Sequence, residues 1–331
     1  MLAVGPNGVG KTNLLESLHV GTQGFSPRTR ADAQLIRFGE RVAHIGVRGK
    51  RGTVPVDIEL TLEAGAGKKA KVNGAALRAA EQLRAETATL VFTPDRLGVV
   101  KGAPAVRRAY FDRALGRLTP ARAQLSTDYG AAVAQRNASL RRVAGGFSTR
   151  DALAPWTEQV AALGTELVTA RKEALALLQL PFAERAGELG VVDAQLRYEG
   201  EPLTVAALER RLDRDIDRGV TGVGPHLDDI VLTAGTRELR SFGSQGEQRL
   251  AMLALLLAEA ELITARRGVP PLLLLDDVLS ELDPERRRIL AARVAAAGQA
   301  LITATDAAML PTEPGQLLEV TPGEVRDRSV G

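Results

Sequence analysis

Residues 5–12 read GPNGVGKT, which places three glycines, a lysine and a threonine in the pattern G-x-x-x-x-G-K-[ST]. Gly5, Gly8 and Gly10 allow backbone conformations and close approach that a Cβ would obstruct. Successive N–H groups of this stretch, with Pro6, Asn7 and Val9 between the glycines, can therefore cradle phosphate oxygens. A helix opening near Lys11 adds about half a positive charge at its N-terminus, which favours an anion. Lys11 is spaced to reach the β- and γ-phosphates of a nucleoside triphosphate. Thr12 can offer its hydroxyl to Mg2+, a hard cation that prefers oxygen ligands.

Two further segments carry chemistry. Residues 271–283, PLLLLDDVLSELD, end an apolar strand-like run in two adjacent carboxylates. Neighbouring strand residues point opposite ways, so Asp276 can face Mg2+ through water while Asp277 is presented as a base or water-positioning group. Asp283, followed by Pro284 and Glu285, reads as the N-cap and first turn of a new helix. In residues 241–263, SFGSQGEQRLAMLALLLAEAELI, Ser244 and Glu247 have the spacing of a capping box. Ser244 and Gly246 at that helix N-terminus also form a second phosphate cradle. It lies so far downstream of the first that a nucleotide held by another subunit is an obvious use.

The elements that must position these groups follow from hydropathy. Residues 1–4 form a short apolar run before the loop, and Leu14, Leu15 and Leu18 recur on a helical face after it. Residues 53–62, TVPVDIELTL, alternate strictly, and residues 42–48 and 69–72 flank them across glycine-rich turns, so an antiparallel meander is expected. From 104 to 189 the period is helical, with breaks expected at Pro120, Gly145 and Gly146, Pro155 and Pro181. Strand-like and helical stretches alternate again from Ala194. The expected fold class is α/β: a mixed central sheet with the phosphate loop plus the meander, in a head split over 1–100 and 191–331, with a helical insertion at 101–190. No sustained heptad predicts a long coiled coil.

Composition narrows the chemistry. With no cysteine and three scattered histidines, disulfides, thiolate zinc sites and a His-rich metal site are excluded, so any metal should be oxygen-bound. The apolar run 250–258 falls far short of the roughly 20 residues of a bilayer span. No charged-then-apolar leader opens the chain, and the expectation is a soluble, cytoplasmic protein. Net charge is +5 over residues 1–100, +8 over 101–150 and −10 over the rest. Concentrated positive charge favours a polyanionic partner. Candidates to contact it are Arg107, Arg108, Arg113 and Arg117 on the first insertion helix, with Lys68, Lys69 and Lys71 near the meander turn; an ordinary solvated surface is the alternative for each.

The ordered set GPNGVGKTNLLE, VFTPDRLGVVKGAPAVRRAYFDRAL, GVGPHLDDIVL, FGSQGEQRLAMLALLLAE and LLLLDDVLSELDPERRR resembles the bacterial RecF family of recombination and gap-repair ATPases over nearly the whole chain. The resemblance implies an ABC-type ATPase head, related to the SMC-like repair ATPases but without their long coiled coil. It also implies ATP and Mg2+ as cofactors, an ATP-dependent homodimer, backbone contacts to DNA duplex and gap junctions, and action with RecR and RecO in loading RecA. Carried onto this sequence, Lys11 and Thr12 contact phosphate and Mg2+, Asp276 holds Mg2+, and Ser244 and Gly246 complete the site across the dimer. Asp277 takes the position of the catalytic glutamate of ABC ATPases, residues 280–283 resemble the D-loop, and residues 303–306 stand where transporter ATPases keep a switch histidine.

The chain departs from the pattern in places. Leu227 stands where Arg is frequent, and Glu247 where Gln is common. Family members usually carry two more strands before the loop, so about 25 to 30 further residues upstream of Met1 are expected if sheet pairing is to be complete. The shorter carboxylate at 277 falls about 1 Å from where a glutamate would reach, a misplacement that can cost on the order of 10²-fold in rate. The expected activity is therefore weak ATP hydrolysis that times release from DNA. Three other readings stay open: a transporter-type ABC motor, another ABC/SMC-like DNA-repair ATPase, or a non-hydrolysing DNA-binding scaffold. The first lacks its signature at the usual spacing, and Lys11, Thr12 and Asp276 argue against the last. If about five DNA phosphates are contacted, log affinity should fall with log salt at a slope near −4 to −5, measured by fluorescence anisotropy. A flat dependence would contradict backbone binding.

Overall fold

The computed structural model describes residues 1–29 and 31–328. The strands among them are β1 (Leu2–Val4), β2 (Val42–Arg51), β3 (Val54–Glu63), β4 (Gly67–Val72), β5 (Ala75–Ala76), β6 (Thr89–Phe92), β7 (Ala194–Glu199), β8 (Asp229–Ala234), β9 (Arg237–Glu238), β10 (Leu272–Leu275), β11 (Ala300–Ala304), β12 (Leu317–Thr321) and β13 (Glu324–Asp327). The chain divides into two compact units, residues 1–96 with 253–331, and residues 97–252.

The first unit is built on a six-stranded sheet of order β13-β12-β1-β11-β10-β6. Every pairing is parallel except β12 with β13. Strands covered on both faces must be apolar along their whole length, which is why β10 is four leucines, with Leu273, Leu274 and Leu275 at 1% exposure or less. Ala3, Val91, Leu274, Leu301 and Val320 from five strands pack with Leu15 of the Lys11–Gln23 helix. β1 is hydrogen-bonded on both edges, to β11 and β12.

The same unit holds the expected meander, an antiparallel sheet of order β2-β3-β4-β5. Val56, Ile58, Leu60 and Leu62 of β3 are buried and pack with Val20 of the Lys11–Gln23 helix. Alternation in β3 thus does what period-two patterning predicts, with one side turned to the core.

The second unit contains the helices Pro104–Leu118, Leu125–Ala144 and Ala154–Glu188 and a small antiparallel sheet of order β7-β8-β9. Residues 191–252, which the sequence groups with the head, fall in this unit. The proline reading needs one correction. Pro155 lies in the first turn of its helix, where a missing N–H costs nothing, but Pro181 sits inside the same helix without ending it. Leu178 and Phe182 beside it are fully buried, and that packing outweighs the lost backbone hydrogen bond.

Three buried arginines tie the second unit together. Arg136 is fully buried and its Nη1 donates to Asp215 Oδ2 and Thr221 Oγ1, both at 2.9 Å. Arg171 grips Asp112 through two parallel hydrogen bonds of 2.7 and 2.9 Å and donates to the Pro225 carbonyl at 2.7 Å. Arg107 pairs with Asp229, at 2.7 Å from Nε to Oδ1. A buried charge stripped of its partner is expensive, so Arg136→Met alone should lower stability by about 3–5 kcal/mol in urea unfolding. Adding Asp215→Leu should recover most of that loss; an additive further loss would show that charge pairing is not the main term.

Candidate phosphate-binding site

The first unit presents the glycine-rich loop between β1 and the Lys11–Gln23 helix. Gly8 and Gly10 have φ of 84° and 110°, values that side chains with a Cβ resist, and neither has another atom within 4 Å of where a Cβ would stand. Gly5 is required for a different reason: a Cβ there would collide with the Val320 carbonyl of β12. The helix start has no side-chain cap and no acidic residue in its first turn, so no carboxylate of the helix's own first turn competes for its N-terminal N–H groups. Lys11 is 7% exposed, and its Nζ donates to the carbonyls of Gly5 at 2.6 Å and Pro6 at 2.9 Å, which folds the ammonium into the loop.

Beside the loop, the carboxylate of Asp276 follows β10 and is 6% exposed. Thr12 Oγ1 lies 3.1 and 3.0 Å from its two oxygens. Thr303, at the end of β11, donates from Oγ1 to Asp276 Oδ1 at 2.7 Å and accepts the Asp277 N–H at 2.9 Å. Asp277 adopts φ 47°, a left-handed conformation unusual for a residue with a side chain, and its Oδ1 is buried with no hydrogen-bond partner among the described residues. Ser280 Oγ donates to the Asp277 carbonyl at 3.1 Å. The structure therefore brings together the predicted Lys11, Thr12, Asp276 and Asp277.

The donor set fits a hard divalent cation: one hydroxyl and one carboxylate lie in contact, and water and phosphate would supply the remaining oxygens. Among the described residues no group of three or more His, Cys, Asp or Glu is placed to hold a metal ion. The open cradle at Gly8 and Gly10 fits phosphate oxygens in the same way.

The second unit holds the predicted Ser244 and Gly246 and the arginine candidates. Ser244 and Glu247 form the expected capping box: the Ser244 N–H donates to Glu247 Oε2 at 2.8 Å and the Glu247 N–H to Ser244 Oγ at 3.2 Å. The Ser244 N–H holds the Glu247 carboxyl below its usual range, with Arg237 adding to the effect. Ser244 and Gly246 are exposed.

Among the DNA candidates, Arg107 is corrected by its surroundings. Arg107 is 1% exposed and its guanidinium is committed to Asp229 and to the Gly102 carbonyl at 2.8 Å, so it is unable to reach a phosphate. Arg108 is half-buried and donates to the Asp228 carbonyl at 2.6 Å. Arg113 and Arg117 are half-buried and also interact within the chain. On the meander, Lys68 pairs with Asp32, Lys69 with Glu63 and Lys71 with Glu59, which neutralises much of that charge locally.

Sequence reasoning missed Thr303 as a bridge between the two aspartates and missed the buried arginines. Thr303 had a signal, a hydroxyl immediately after the apolar run 300–302. Arg136 and Arg171 had none, since arginine is abundant throughout the helical segment.

A buried parallel strand, a glycine-rich loop opening a helix, and an aspartate at the end of the next strand but one, touching the loop threonine, together define a P-loop nucleotide-binding head. The model of the RecF/RecN/SMC N terminal domain family matches residues 1–325, and the chain belongs to the RecF family within it. A relative from Heliobacterium modesticaldum named DNA replication and repair protein RecF is 38% identical over 299 residues, covering 86% of this chain and 80% of the relative. Its namesake in Anaeromyxobacter dehalogenans strain 2CP-C is 37% identical over 335 aligned positions, covering 94% and 88%. A solved structure of the recombination mediator protein RecF with ATP, in the RecFOR pathway, matches with a TM-score of 0.88 at 26% identity, covering 99% of this chain and 91% of that one. The Smc head domain of Pyrococcus furiosus matches with a TM-score of 0.58 at 15% identity, covering 99% and 89%, and shares the fold. The fold class is thus the α/β ABC-type ATPase head expected from the sequence.

Gly10→Ala imposes a left-handed conformation on a residue with a Cβ, a strain of roughly 1–3 kcal/mol, and should weaken ATP binding about tenfold. Titration with a fluorescent ATP analogue checks this; unchanged affinity would mean the loop does not hold the phosphates.

Proposed function

We propose that this chain is an ATP-binding DNA-repair protein that dimerises on DNA when ATP is bound and releases it after slow hydrolysis, acting with RecR and RecO to load RecA at gaps. The contact between Thr12 and Asp276 carries the reading, because it joins the phosphate loop to the acidic strand end in the way Mg2+ and ATP require. Membership of the RecF family, and the similarity to RecF with ATP, support it.

In this reading Gly8, Val9 and Gly10, with Pro6 and Asn7 completing the loop, present N–H groups and space to the phosphates. Lys11 exchanges its carbonyl partners for phosphate oxygens. Thr12 and Asp276 hold Mg2+, which when bound neutralises charge on the β- and γ-phosphate oxygens. Asp277 serves as base or water-positioning group, its carboxylate aimed by the left-handed backbone. Ser244 and Gly246 of the partner subunit complete the site. DNA is held through its backbone, with Arg108, Arg113 and Arg117 as remaining candidates and Arg107 withdrawn. The residues 1–100 and 191–331 form the split head in the functional sense, 101–190 the insertion.

Lys11→Ala should abolish ATP-dependent dimerisation, measured by light scattering with ATP and Mg2+, while leaving salt-sensitive DNA binding. Dimerisation unchanged by the substitution would overturn the reading. Asp277→Asn should cut ATP turnover by about 10²-fold or more with ATP affinity kept, the magnitude typical of losing a general base.

A further inference from the structure

We infer that Thr303 is a positioning residue whose single hydroxyl sets both carboxylates of the site, Asp276 by donating to it and Asp277 by holding its backbone. The inference rests on the nucleotide reading above and deepens it. Thr303 is fully buried on β11, paired across to Ala3 of β1. A hydroxyl has one hydrogen and two lone pairs. Its hydrogen goes to Asp276 Oδ1 at 2.7 Å, and one lone pair receives the Asp277 N–H at 2.9 Å. Because a carboxylate accepts and an N–H only donates, the hydroxyl has one satisfactory orientation.

Two consequences follow. Asp276 Oδ1 is shared between Thr12 and Thr303, which fixes the rotation of the carboxylate and leaves Oδ2 with Thr12 as its hydrogen-bond partner. That oxygen is the freer one to accept from water on a cation. Asp277 in turn is held at φ 47° from both sides, through its N–H by Thr303 and through its carbonyl by Ser280. Left-handed backbone at a side-chain-bearing residue is strained and persists only where neighbours over-determine it. Thr303 therefore links metal affinity to the aim of Asp277 through one atom, acting through the two aspartates it bonds.

The test compares Thr303→Val, which keeps shape and removes the hydroxyl, with Thr303→Ser, which keeps the hydroxyl. A fluorescent ATP analogue is titrated into each, first in EDTA and then with increasing Mg2+. Hydrogen bonds that orient metal-holding groups are worth tenfold to a hundredfold in metal affinity, so the Mg2+ concentration for half-maximal tightening should rise by about that factor in Thr303→Val. Affinity in EDTA should stay within about twofold, because the loop is untouched, and Thr303→Ser should match the parent protein. A normal Mg2+ requirement in folded Thr303→Val, or a serine variant as impaired as the valine one, would overturn the inference. Absence of ATP binding by the parent protein would instead overturn the nucleotide reading. Hydrogen exchange on the unmodified chain needs no variant to fold: the Asp277 amide should be protected, and exchange at the rate of an open turn would equally overturn the role given to Thr303.

Discussion

A buried carboxylate has to find donors, and the way Asp276 finds them organises the first unit. One donor is Thr12 on the first turn of the helix after the phosphate loop, and the other is Thr303 at the end of β11. Both can reach it because β1, β11 and β10 are parallel neighbours, so their C-terminal ends emerge at one edge of the sheet. Open α/β sheets bind ligands at that edge, and here it gathers the loop, the carboxylate and the left-handed Asp277. The apolar run of β10 and the small contact at Ala3 serve this arrangement by letting the strands lie in register with both faces covered.

The second unit solves a different electrostatic problem. Arg136, Arg171 and Arg107 come from three successive helices and each meets an aspartate away from solvent, at Asp215, Asp112 and Asp229. Arg171 and Arg136 also reach Pro225 and Thr221, and Arg107 holds the residue that opens β8. The segment 221–229 is thereby fastened to the helices by charge-assisted hydrogen bonds. Arg107 and Arg136 belong to the positive stretch 101–150, so part of its excess goes to internal pairing with aspartates further along the chain. A linear surplus of arginine is therefore a poor measure of a surface that attracts nucleic acid.

The loop, the strand ending in two aspartates, the capping pair Ser244 and Glu247 and the alternating β3 were legible because each depends on neighbours close in sequence. Asp283 capping the Pro284–Ala296 helix, accepting the Arg286 N–H at 2.9 Å, belongs with them. Thr303 was not legible in its role, since a hydroxyl on a buried strand shows its partners only when the strand order is known. Buried and exposed arginines look alike in a helical sequence, which is why Arg107 read as a DNA contact. Pro181 read as a break because local backbone rules take no account of Leu178 and Phe182 packing on either side of it.

The central claim is that Thr12 and Asp276 form the cation end of an ATP site whose phosphate end is the glycine-rich loop. A crystal structure of the protein grown with Mg2+ and a non-hydrolysable ATP analogue tests it most directly. The account predicts a cation about 2.1 Å from Thr12 Oγ1, with the triphosphate along the loop and Asp276 reached directly or through one water. Nucleotide bound elsewhere, or a cation that contacts neither Thr12 nor the water shell of Asp276, would contradict it.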